Sequence, residues 1–199
     1  MKRRALLGGG LCALIGAATT GCVSSRPLAP SALPPLRLPP SALGTARYAL
    51  SQRLSVFRLD RPGERPQQVE VQLQLDASGL LLAGFAFGQR VLLMQWDGES
   101  LQVQRSPYLP AEVDTDRMLR DLCLVLWPAG AVRAALPPGW TWDEDGPEGV
   151  GRSLSAVQAL REGEVTRLSV RRPAEGVVEI LNPTEGYRLL IESQPLEAS

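Results

Sequence analysis

Few side chains in this sequence are able to do chemistry, and what is missing narrows the field most. There is no histidine among the 199 residues, which removes the commonest general base and the commonest zinc ligand. Lys2 is the one lysine, so every other cation is an arginine. The thiols are Cys12, Cys22 and Cys123. Cys123 stands in an apolar run with no base to activate it and reads as an inert buried thiol. Ser106, Ser153 and Ser155 have no histidine, and no lysine beyond the leader, to activate them. Asp143 to Glu148 is acidic but lacks the ligand spacing of a calcium loop, so it reads as solvated. Arg120 beside Asp121, and Arg105 and Arg188 in extended stretches, suit ion pairs. An arginine facing a cavity would instead hold a carboxylate or phosphate head group. No cofactor or metal is expected. An enzyme is the weakest reading, with carboxylate-only catalysis its remaining form.

Cys22 is the thiol whose surroundings suggest a modification. Lys2, Arg3 and Arg4 form a basic start, Leu6 to Ala18 is apolar, and Thr20-Gly21 precedes the cysteine. Those are the parts of an export signal, and the apolar run is short for a membrane span. With a small residue directly before Cys22, the segment resembles a bacterial lipoprotein signal. That resemblance implies cleavage after Gly21 and a lipid anchor on Cys22. It departs from the usual pattern at Thr19, where leucine is common. The plain alternative is an ordinary cleaved signal with an incidental cysteine. Val23 follows, where an aspartate would favour inner-membrane retention, so the outer membrane is expected. Each buried acyl methylene is worth about 0.8 kcal/mol, so such an anchor would hold the protein on the bilayer without help from the domain. Without Lys2, Arg3 and Arg4, the 21 cations fall to 18 against 21 anions, a net charge of −3. This excludes a nucleic-acid footprint and gives no electrostatic pull to anionic lipid.

These segments must stand on a scaffold, and the rest of the chain supplies one domain. Residues 22–46 hold Pro27, Pro30, Pro34, Pro35, Pro39 and Pro40 and read as a lipidated cysteine followed by an extended tether. From 47 to 199 the sequence reads as a single β-rich domain, expected to be a monomer. Val69, Val71, Leu73 and Leu75 alternate with Glu70, Gln72 and Gln74, the pattern of a strand with one wet face. Leu80 to Phe87 and Val91 to Trp96 are apolar on both faces, joined by a turn at Gly88-Gln89. Tyr48, Leu50, Leu54 and Val56 fall on one side of a first strand, and Leu101 to Gln104 begins a fifth. Three more strands are predicted near 165–171, 177–181 and 186–192, with one or two weaker ones between 150 and 160. Between the two groups lies the helical insertion, near 114–136. Asp114 or Thr115 caps its start, Met118, Leu122, Val125 and Leu126 set the helical spacing, and Pro128 divides it.

The fold class expected is mainly β with a helical insertion. A long antiparallel meander curls because strands twist, giving a curved sheet or open half-barrel plugged by a central helix pair. The bland alternative is a packed sandwich with no cavity.

This architecture resembles the lipoprotein-carrier fold of the LolA and LolB type. A closer resemblance is to uncharacterised proteobacterial lipoproteins encoded in aryl-polyene and related fatty-acid-synthase-like clusters. It is carried by Leu93 to Gly98, Arg105-Ser106-Pro107, Leu119 to Leu122, Leu126-Trp127-Pro128, Pro138-Gly139-Trp140, Gly186 to Leu189 and Ile191-Glu192-Ser193. The resemblance implies an outer-membrane lipoprotein that binds or passes on a lipidated protein, a fatty acid or a polyene chain. Leu82, Phe85, Leu93, Leu122 and Leu126 would line its cavity. The receptor of that type also presents an apolar residue on a protruding hairpin; Phe85 or Phe87 stands at the matching place, and core packing is the plain alternative for both. A second function class is an accessory lipoprotein with a solid core that binds protein partners through an exposed apolar patch.

Overall fold

The computed structural model describes residues 31–109, 113–145 and 156–196. Cys22 and the leader lie outside them. Among the described residues, ten strands form one antiparallel sheet, curved and unclosed. The first five are β1 (Tyr48–Arg58), β2 (Gln67–Asp76), β3 (Gly79–Ala86), β4 (Gln89–Trp96) and β5 (Leu101–Arg105). Helices α1 (Thr115–Leu126) and α2 (Ala129–Ala135) follow. Then come β6 (Trp140–Asp145), β7 (Val157–Glu162), β8 (Val165–Ala174), β9 (Val177–Asn182) and β10 (Tyr187–Pro195).

The strand order, β5-β4-β3-β2-β1-β10-β9-β8-β7-β6, explains why the helices lie where they do. Each half of the chain is a simple meander, and the halves meet where β1 pairs with β10, Leu54 opposite Ile191. This leaves β5 and β6 on opposite outer edges. The chain between them has to cross the full width of the sheet, and it does so as α1 and α2. The inner faces of the strands and α1 form one core. Leu73, Leu82, Met94, Leu168, Val170 and Ile180 share it with Leu119, Cys123 and Leu124. The half-barrel with a helical insertion is thus the architecture of this chain. Asp114 caps α1, its carboxylate accepting from the backbone N–H of Asp116 at 2.9 Å and of Arg117 at 3.2 Å. At the far end Arg172 donates to the Val125 carbonyl at 3.1 Å, a cation where the last helical carbonyls are exposed.

Three sequence expectations are corrected. The first concerns the tether. Residues 31–46 are packed: Leu33, Leu36, Leu38 and Leu43 are all buried in the core, and Pro40–Leu43 forms a 3-10 turn. Prolines suit extended backbone but do not decide where it lies, and the leucines between them have an apolar trough to fill. The second is the acidic loop. Asp143 to Asp145 continue β6, because Trp142 alternates into the core and carries its neighbours into register with β7. Residues 146–149 lie outside the described residues. The third is the turn between β3 and β4, which is Phe87-Gly88, one residue earlier than expected.

That shift has an energetic side. Phe87 has φ 51° and Gly88 φ 73°, a two-residue turn that favours Asn-Gly because an L side chain is strained there. The Phe87 ring is fully exposed, at 105%, so no packing offsets the strain. Phe87→Asn is therefore expected to raise stability by up to about 1 kcal/mol, read as a higher midpoint in chemical unfolding. A lower midpoint would show that the ring has a partner.

Candidate functional site

Residues 31–43 form a strap along the concave side of the sheet. It starts at Ser31, beside the β9–β10 turn, and ends at Pro39 and Pro40, beside the β4–β5 turn. The strap is held by side chains. Trp96 Nε1 donates to the Leu38 carbonyl at 2.8 Å, and Trp127 Nε1 to the Pro39 carbonyl at 3.0 Å. The Cys123 thiol points at the Leu36 carbonyl, 3.7 Å away, and burial pushes its pKa up to about 12. This matches an inert thiol, not a nucleophile. Gly98 is needed where it stands: a Cβ there would come within 3.2 Å of Pro40 and 3.3 Å of Pro39, and its φ of 104° already favours glycine. Arg37 forms an exposed ion pair with Asp116.

The other end of the strap is tied by a buried polar cluster. Arg120, 1% exposed, projects from α1 and grips Glu185 through two bonds, of 2.7 and 3.1 Å. Its Nε and Nη2 also donate to Asp121, at 3.0 and 2.9 Å. The Tyr187 hydroxyl accepts from Arg120 at 3.0 Å and donates to Asp121. Asn182 donates to Glu185 at 2.8 Å, and Arg117 lies 3.4 Å from the same carboxylate. Ser31 Oγ donates to Glu185 and accepts from Arg120 at 3.0 Å. Burial pushes the Asp121 carboxyl up, against the pull of Arg120. Burial also acts to raise Glu185, but hydrogen bonds from Arg120 and Ser31 and the charges of Arg120 and Arg117 outweigh it and hold that carboxyl low. Burial lowers the Arg120 pKa less than Asp121 and Glu185 raise it, so the guanidinium stays charged.

The residues expected to line a cavity divide between the two faces of the sheet. Leu82 and Leu126 are buried in the core, and Leu122 is half-buried against it. Leu93 and Phe85 face the convex side: Leu82 pairs with Met94 and Ala83 with Leu93, so Leu82 and Leu93 point oppositely. A bulge after Gly84 leaves Phe85 outward, too. No described element forms a second layer over that face, and Leu81 is 37% exposed there. A recess of about 380 Å³ opens between the β2–β3 and β4–β5 turns, rimmed by Asp76, Ser78, Asp97 and Gln102. The concave trough, where the insertion was expected to enclose ligand space, is filled by the leucines of the strap.

Of the ion pairs suggested by the sequence, Arg120 pairs with Asp121, and Arg188 pairs with Glu179 at 3.3 Å while its guanidinium lies 4.1 Å from the Phe57 ring centroid. Arg105 donates to the Val113 carbonyl. Glu185, Asn182 and Ser31 were not anticipated as their partners. The run Asn182-Pro183-Thr184-Glu185-Gly186 has the composition of a turn, which marks the place of Asn182 and Glu185 but not their partner.

The class this geometry defines is a half-barrel protein whose trough is occupied by helices and by its own N-terminal strap. The chain belongs to a family described as a protein of unknown function (DUF3261), whose profile matches residues 49–195. No curated protein matches it. Trp96, Gly98, Trp127, Arg120, Asp121 and Tyr187, from four of the sequence motifs quoted above, all converge on the strap and its ties.

Proposed function

We propose that this chain is a lipid-anchored lipoprotein on the periplasmic face of an outer membrane, and that it binds or passes on a hydrophobic ligand. The ligand would be the acyl chains of a lipoprotein, a fatty acid or a polyene chain. The observation that carries this reading is the strap. It fills an apolar trough with leucines, yet it belongs to no sheet ladder and is held by side chains. Its displacement would therefore break no strand-to-strand hydrogen bond, and a ligand that refilled the apolar groove between α1 and the strands would replace the packing lost with the leucines. An acyl chain is the ligand class that can replace leucine side chains there. The anchor on Cys22 and the outer-membrane address rest on the signal-like leader.

A second reading, an accessory lipoprotein that binds protein partners, is favoured by the exposed rings of Phe87 and Tyr108. Native mass spectrometry separates the two. The chain from Val23 onward, exported behind a cleavable signal and purified without detergent, should carry an acyl or polyene mass in part of the population. Leu38→Ala alone, in protein that still unfolds cooperatively, should raise the loaded fraction several-fold by weakening the competitor. If both forms stay unliganded when offered fatty acids and lipopeptides, the ligand reading fails and the interaction module takes its place.

A further inference from the structure

We infer that one end of the sheet is a rim that seats directly on the bilayer surface. In an antiparallel sheet, alternate turns fall at opposite ends. Following strand direction, the β1–β2, β3–β4, β7–β8 and β9–β10 turns share one end, and the backbone N–H of Leu59 reaches the Gly186 carbonyl across it at 2.9 Å. The large apolar side chains exposed among the described residues gather at that end. Phe87 is 105% exposed, Tyr108 82%, Val165 51% and Leu59 40%. Phe87, Leu59 and Val165 sit in or beside its turns, and Tyr108 follows β5 as that strand leaves toward the same end. Leu181 is one residue short of the β9 end, and Leu81 alone lies toward the other. The opposite end carries Asp76, Ser78, Asp97, Glu99 and Ser100 in its turns.

The chain outside the described residues says what covers this rim. Ser31 is tied to Glu185, so the described chain begins at the rim. Between Cys22 and Ser31 there remain residues 23–30, which reach at most roughly 25 Å at about 3.1 Å per residue. With Cys22 in a bilayer, a connection that short faces the rim toward the lipid. This step rests on the lipid anchor proposed above, not on the ligand. The chemistry agrees: aromatic side chains favour the membrane interface, and Asp60 and Glu64 beside Arg58, Arg61 and Arg65 make no basic patch. The rim should therefore engage zwitterionic and mixed bilayers alike.

The test uses the full acylated protein on phosphatidylethanolamine–phosphatidylglycerol vesicles, nitroxide-labelled in turn at Phe87→Cys, Tyr108→Cys and Glu99→Cys. Cys123 is buried and takes no label. At 87 and 108 the ratio of oxygen to nickel-chelate accessibility should rise several-fold over that at 99. Water-like values at all three sites on acylated, vesicle-bound protein would overturn the rim and leave the anchor standing. Protein that has no acyl mass on Cys22 and stays off the vesicles would overturn both. Labels at 87 and 108 that are immobilised in native envelope vesicles but water-like in pure lipid would assign the rim to a protein partner and sink the inference.

Discussion

A chain that begins at Arg47 is expected not to fold cooperatively, while one that begins at Val23 folds. The boundary at 46 is where strand-like sequence starts, but it lies inside the core. Leu33, Leu36, Leu38 and Leu43 are each at most 6% exposed. Emptying one such site by a leucine-to-alanine change costs about 2–5 kcal/mol. Removing all four, roughly 8–20 kcal/mol on that scale, along with the carbonyls that pair Trp96 and Trp127, takes away as much as the roughly 5–15 kcal/mol that holds a typical domain together. The shortened chain should keep strand signal in far-ultraviolet circular dichroism, lose the near-ultraviolet signal of its tryptophans and unfold without a sharp transition. An Arg47–Ser199 fragment with an undiminished unfolding midpoint would show that the strap is dispensable.

The second large effect belongs to Arg120→Met. The side chains are similar in length, so packing changes little, but Asp121 and Glu185 lose their shared cation while still buried. Taking one partner from a buried ion pair costs about 3–5 kcal/mol. Chemical denaturation near neutral pH should show that loss. The triple change Arg120→Met, Asp121→Asn, Glu185→Gln should recover part of it, because no charge is then left without a counter-ion. A loss below roughly 1 kcal/mol for the single variant would mean that water reaches the cluster and that the site is not dry.

How much of this was legible depends on what a periodic pattern is able to record. Val69 to Leu75 alternate because one face meets the core, and β2 forms where that alternation stands. Met118 to Leu126 follow helical spacing, and α1 begins at the Asp114 cap the sequence offered. The strap left no such trace. Leu33, Leu36, Leu38 and Leu43 follow neither period because Trp96, Trp127 and Cys123 hold them, not a ladder. In β6 the alternation of Trp140 and Trp142 was present, but the acidic residues after it suggested a loop. Within the polar cluster, the neighbours Arg120 and Asp121 were visible as a pair. Glu185 was not, because nothing local marks a turn residue whose partner lies 65 positions away. Leu82 and Leu93 are both leucines in apolar strands, which by composition alone suits one wall; parity across β3 and β4 separates them.

The unclosed sheet also leaves two strands with a side that no described strand pairs, β5 and β6. Such edges invite a second copy of the chain to add its own strand. The residues here discourage it. β5 is five residues long, alternates Gln102 and Gln104 with Leu101 and Val103, and ends in Arg105. β6 carries the exposed Asp143, so two copies approaching through that edge would bring like charges together. Opening the barrel made room for the strap and the crossing helices, and the composition of its outermost strands guards the seams against fibre-like growth.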